Sequence, residues 1–225
     1  MEFVASPYES LRYSLRNCRD QLPDSLATRL HRAISWLNCA EQQHEDADVR
    51  FISLWVGLNA CICVEQSESM ESLGEKQAFS SFVSKLIQHD SQKQVYACLW
   101  QTYSGPVKGL IKNPYVYHGF WQAQRIKQSG KDAQWEDEFN QSSVAALNYL
   151  SRQQVPELLG IVLDRLWVLH QQIMLGGATY QSSVNRDQVK EGGKLLSSLL
   201  PIIVDIMMSS PHEDWGRISY PVVTE

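Results

Sequence analysis

An all-α fold, a helical bundle, is what this sequence predicts, on three observations. Apolar residues recur at helical spacing for most of the 225 residues. Runs with the strict alternation of a half-buried strand are almost absent. No repeat, low-complexity tract or long linker interrupts the series. A chain of this length can bury enough apolar surface to fold without metal or disulfide staples, and a single domain over residues 1–225 is expected.

Taken in order, Asp24 and Ser25 follow Pro23 and can cap a helix whose stripe is Leu26, Leu30, Ala33, Ile34, Leu37 and Ala40. The acidic cluster Glu45, Asp46 and Asp48 suits the positive end of the next helix dipole. That helix runs through Phe51, Leu54, Trp55, Leu58 and Ile62 and ends in a polar break from Glu65 to Ser72. Shorter helices are expected over 75–88 and 91–103, with turns at Gly105-Pro106 and Asn113-Pro114, because proline restricts the residue before it. Residues 128–132 read as a loop, and 135–150 as a helix. Pro156 suits the first turn of another helix running to about Leu175, which Gly176-Gly177 then stops. Asn185 with Gln188 three residues on resembles a capping box for a last helix to Met208. Within it, Gly192 and Gly193 should permit close approach of a neighbour, and Pro201 should kink it.

Five cysteines, Cys18, Cys39, Cys61, Cys63 and Cys98, are an odd number without framework spacing, and no secretory leader pattern precedes Pro7, which points to a reducing cytoplasm. The longest apolar run, Leu195 to Met208, is shorter than the ~20 residues a bilayer span needs and is broken by Pro201 and Asp205, so no membrane segment is expected. A net charge of -5 argues against coating nucleic acid with the whole surface. A local patch survives that test. Lys108, Lys112, Arg125, Lys127 and Lys131 lie between Gly105 and Lys131 with no acidic residue, interleaved with Tyr115, Tyr117, Phe120 and Trp121. Cations beside π faces suit single-stranded RNA, although a solvated helix whose aromatics belong to the core is the plainer reading.

Four segments carry a resemblance: LWVGLNAC (Leu54 to Cys61), SGPVKGLIKNPYVYHGFW (Ser104 to Trp121), DRLWVLHQQIMLGGATYQSSVNRDQVKEGG (Asp164 to Gly193) and DWGRISYPVV (Asp214 to Val223). Together they resemble the HEPN superfamily (higher eukaryotes and prokaryotes nucleotide-binding), specifically its Apea-like group. The run from GGAT to VNRDQV is the specific part, and the signature region is 164–223. The resemblance implies an all-α, HEPN-like bundle with additional N-terminal helices. It also implies a homodimer and descent from metal-independent endoribonucleases of toxin and antiphage-defence systems. No cofactor and no metal are implied. An RNA or nucleotide ligand, or an antitoxin or defence-system partner protein, would follow.

The family hallmark is an arginine followed after a short gap by a histidine, and the corresponding register here reads His170-Gln171-Gln172-Ile173-Met174-Leu175-Gly176-Gly177. His170 and Leu175 therefore stand where the resemblance implies the catalytic arginine and histidine. Metal-free RNA cleavage needs a near-neutral imidazole to move protons and a permanent cation on the developing phosphorane. Leucine supplies neither, and imidazole lacks the fixed charge and bidentate fork of arginine. The expectation is a ribonuclease-type protein with its catalytic pair lost, or a non-catalytic dimeric adaptor. Arg165 and His170 form a substitute Arg-x4-His pair. Five helical steps turn about 140°, however, so this pair shares only an edge with the 170/175 surface. Arg165 is otherwise expected to pair with a carboxylate or cap a neighbouring element. Gln171, Arg186, Lys108 and Lys112 are the residues expected to meet RNA.

Other constellations are weaker. Cys61 and Cys63 point about 200° apart on a helix and read as packing, not a zinc site. His118 follows Asn113 at a gap of four, but asparagine carries no charge. His31, His44, His89 and His212 read as surface or satisfied core residues. Trp215 and Tyr220 should anchor the C-terminal segment.

Overall fold

The computed structural model describes residues 5–65, 73–128 and 135–223, and their regular secondary structure is helical throughout. Val64 and Ile218 form an antiparallel bridge outside the helices. The chain gathers into two compact units, Met1–Gln94 with Leu196–Glu225, and Val95–Leu195. Among the described residues no helix is long and apolar enough to cross a membrane. The segment expected to break the chain after Glu65 lies outside the described residues from 66 to 72, and the loop expected over 128–132 does so from 129.

In the first unit, α1 (Pro7–Cys18) begins on a capping box in which Ser6 and Glu9 exchange hydrogen bonds with each other's backbone N–H. It turns Leu11 and Leu15 inward. α2 (Asp24–Gln42) buries the whole expected stripe, but it starts at Pro23 with no side-chain cap. Asp24 is already helical, and its carboxylate meets Arg19 at 3.1 Å instead of capping. α3 (Ala47–Ile62) is capped by Asp46, which accepts the Val49 N–H at 3.0 Å, as the acidic cluster led one to expect. Gly57 lets the layers close, since a Cβ there would sit 2.7 Å from Leu200 Cδ2 and 3.3 Å from the Ala33 carbonyl. The same role was expected at Gly193, where a Cβ would meet nothing within 4 Å.

Arg29 is the largest polar commitment of this unit. It is 1% exposed, and its guanidinium donates to the carbonyls of Cys61 (2.6 Å), Cys63 (3.0 Å) and Gly216 (3.2 Å). The C-terminal carbonyls of α3 thus take the place of a counter-ion, because a helix end carries partial negative charge. Burial lowers the Arg29 pKa, and the same burial pushes the Cys61 thiol up to about 12. α4 (Leu73–His89) meets the C-terminal segment, where the Trp215 ring lies tilted against Phe82 at 5.8 Å and its Nε1 donates to the Ser210 carbonyl at 3.1 Å. His89 Nε2 lies 2.9 Å from Glu213 Oε2 and Lys85 lies 3.1 Å from Glu213 Oε1, and these bonds, that of His89 first, hold the Glu213 carboxyl below its usual range. Trp215 anchors as expected. Tyr220 does not: its side chain is exposed, and the backbone carbonyl is what Arg32 holds, at 2.7 Å.

α5 (Gln94–Tyr96) crosses into the second unit at Val95 and runs into one π-helical turn, Ala97–Thr102. α6 (Ser104–Lys112) absorbs Gly105 and Pro106 into its first turn, where a turn outside the helix was expected. Proline is tolerated there because first-turn N–H groups have no intrahelical acceptor. The turn expected at Asn113-Pro114 is present: Asn113 Oδ1 accepts the Tyr115 N–H at 2.9 Å and opens a 3-10 turn, Pro114–Val116. α7 (His118–Gln128) and α8 (Trp135–Ser151) follow.

α9 (Val155–Met174) has Pro156 in its first turn and ends at Gly176, whose φ of +71° only glycine adopts without strain. It buries Leu158, Leu159, Val162, Leu163, Leu166 and Leu169 and contacts α6 and α8, which bury Val107, Leu110 and Ile111 and Ala146 and Leu150 respectively. α10 (Arg186–Met208) starts and stops where expected and carries Pro201 inside. Asn185 is not an ordinary cap. Its φ is +54°, and its amide donates to Gln172 Oε1 at 2.8 Å, which ties the connection back to α9.

Candidate functional site

The last two turns of α9 hold the residues singled out from the sequence. His170 is half-buried, and burial pulls its pKa down to about 4. It is therefore a neutral imidazole near pH 7, able to accept a proton but carrying no fixed charge. Leu175 is the C-cap residue and is 79% exposed, an unusual place for a leucine side chain. Gln171 is half-buried between them. The register 170–175 thus presents one neutral imidazole and one hydrocarbon where metal-free phosphoryl chemistry would need a proton shuttle and a cation.

Arg165 cannot fill that vacancy from where it lies. It is 1% exposed, with its guanidinium 4.6 Å from the Tyr117 ring centroid and 5.7 Å from that of Phe139. Nη2 donates to Ser142 Oγ at 3.0 Å, while Nε and Nη1 are buried without hydrogen-bond partners. In place of the carboxylate expected to pair with it, the arginine uses ring faces, whose negative quadrupole attracts a desolvated cation. Burial lowers its pKa, opposed by the neighbouring Asp164 charge. Tyr117 answers in kind: desolvation, then the Glu138 charge, raises its pKa, and Arg165 opposes them. Gly119 makes the arrangement sterically available, since a Cβ there would fall 2.5 Å from Tyr117 Cε1.

The aromatic residues of the basic segment form a cluster instead of an array of free platforms. Phe120 meets Tyr115 (5.2 Å), Trp121 (5.1 Å) and Trp135 (5.0 Å), each edge-on. Trp121 Nε1 donates to the Tyr115 carbonyl at 2.8 Å, and Gln172 Nε2 donates to the same oxygen at 2.6 Å. Tyr115 remains half exposed, as does Trp167, which lies 5.9 Å from His118. Asn113 is spent on its own turn, so the Asn113/His118 spacing has no partnership behind it.

Lys108 and Lys112 stand exposed on α6 while Val107, Leu110 and Ile111 face the core. Arg186 is half-buried, with Nε donating to the Ser182 carbonyl at 2.8 Å. Gln172 is the connecting residue that sequence reasoning missed, because a glutamine in an otherwise amphipathic helix gives no signal of the turn and loop it bridges. Phe139 and Ser142 were missed as well. Among the described residues no group of three histidine, cysteine or acidic side chains could hold a metal ion. Compared with protein-family models, with curated proteins and with solved structures, the chain matches none.

Proposed function

We propose that this chain is a HEPN-like protein of metal-independent endoribonuclease ancestry that holds RNA or a nucleotide without cutting it, in a cytoplasmic toxin or defence setting. The observation that carries the reading is position 170, a half-buried imidazole with a pKa near 4, followed at the helix cap by the exposed Leu175. Arg165, the nearest arginine in the chain, is locked beneath Tyr117 and Phe139. Exposed Lys108 and Lys112, with half-exposed Tyr115, supply the chemistry for phosphate and base contact. A fluorescent single-stranded RNA should bind the purified protein, stay intact in excess chelator, and bind more weakly to Lys108→Gln/Lys112→Gln. Robust cleavage of that RNA in chelator, abolished by His170→Ala, would overturn the reading.

A second reading, a non-catalytic dimeric adaptor for an antitoxin or defence-system partner, has its own support. Met174, Leu175, Tyr180 and Val184 are 53%, 79%, 66% and 65% exposed within one eleven-residue stretch. Apolar side chains gathered on a surface commonly mark a protein contact. Sedimentation should show dimers that Leu175→Lys dissociates. A monomer at all concentrations would remove this reading.

A further inference from the structure

The first unit holds a cleft of about 420 Å³ that none of the residues discussed for RNA enters. Its lining includes Arg16 and Arg19 from α1 and the turn after it, His31 and Arg32 from α2, and the apolar Leu15 and Val222. Among the described residues no acidic side chain lines it. In a chain of net charge -5, three guanidinium groups border this one concavity, and among the described residues a carboxylate pairs with Arg19 but with neither Arg16 nor Arg32.

Their present commitments leave room for such a ligand. Arg19 is held by Asp24 at 3.1 Å in a solvent-exposed pair, and Arg32 donates through Nη1 to the Tyr220 carbonyl. Arg16 and His31 make no hydrogen bond or ion pair among the described residues. Guanidinium forks match the oxygens of a phosphate, and several forks suit a doubly charged group better than a single carboxylate. The volume lies in the range of small-ligand sites, and the apolar walls leave space for a hydrocarbon or ring body.

We infer that the α1/α2 cleft binds a small phosphate monoester of mononucleotide size, its phosphate held by Arg16 and Arg32 and its apolar body against Leu15 and Val222. This site shares no residue with the proposed RNA contact, which uses Lys108, Lys112 and Tyr115 of the other unit, so variants of one leave the other unchanged. Titration calorimetry of the full chain at fixed ionic strength tests it with adenosine monophosphate, adenosine and inorganic phosphate.

The nucleotide should bind saturably, phosphate more weakly, and adenosine not at all within the same range. Arg16→Gln/Arg32→Gln should weaken nucleotide binding by about tenfold or more, the loss expected for charge-assisted bonds. Arg16→Glu alone, at a residue with no bond to lose, should do the same with an unchanged melting temperature. Lys108→Gln/Lys112→Gln should bind the nucleotide as the parent does. Absent saturation, equal binding of adenosine, or undiminished binding by both arginine variants would each overturn the proposal. So would an RNA oligomer that needs Arg16 and Arg32 while the mononucleotide fails to bind.

Discussion

His170 should make the protein acid-sensitive by a calculable amount. Its pKa falls from the ordinary 6.5 to about 4 because burial penalises the imidazolium. Between those values the unfolded chain takes up a proton that the folded chain refuses, so stability is intact above pH 6.5 and is lost progressively as the pH drops to about 4. A shift of this size corresponds to about 3 kcal/mol at ~1.4 kcal/mol per unit, and partial solvent screening of a half-buried ring brings it to about 1–2 kcal/mol. Urea unfolding at pH 7.5 and pH 4 in the parent and in His170→Gln isolates the effect, because Glu213 and the other carboxylates titrate alike in both. The parent should lose about 1–2 kcal/mol more than the variant across that interval. Equal losses, or an imidazole proton resonance titrating near 6.5, would refute the buried neutral imidazole and remove the main support for the proposed lack of cleavage.

Other substitutions follow from the packing. Arg29→Met should cost about 2–4 kcal/mol in denaturant unfolding, since three carbonyl acceptors lose a charged donor. Arg165→Met should be close to neutral or slightly stabilising by the same assay, because two of its nitrogens are buried without bonds and a hydrophobe of similar length relieves that burial. A loss as large as that of Arg29→Met would mean the ring contacts hold more than they are credited with. Gly57→Ala should lose about 1–3 kcal/mol through the clash with Leu200 and the Ala33 carbonyl, whereas Gly193→Ala, with open space around it, should gain helix propensity and not lose stability.

Periodicity made the long helices legible because burial on one face is what holds them: the stripe of α2, the Asp46 cap of α3 and both ends of α9 and α10 follow from residues read in order. α1 carries a local signal in Ser6, Pro7 and Glu9, but its short amphipathic stretch buries only Leu11 and Leu15, too few to set a period. Pro106 was misread because a proline at a helix start and one in a turn leave the same local signature. Contacts between distant segments had no such signal. Nothing in the pattern says that Gly57 faces Leu200, that Gln172 bridges Tyr115 and Asn185, or that aromatic rings satisfy Arg165. The candidate site was legible only as a register, His170 to Leu175, while the burial that sets the imidazole's charge state depends on the tertiary fold.

The most direct test of the account installs both groups that the proposed ancestry calls for. His170→Arg/Leu175→His places a permanent cation on α9 and an imidazole at its exposed cap, and the purified double variant is incubated with single-stranded RNA in excess chelator beside the parent. The account predicts new cleavage products from the double variant and none from the parent or from either single change. A folded double variant that leaves the RNA intact, or a parent that already cuts it, would contradict the account.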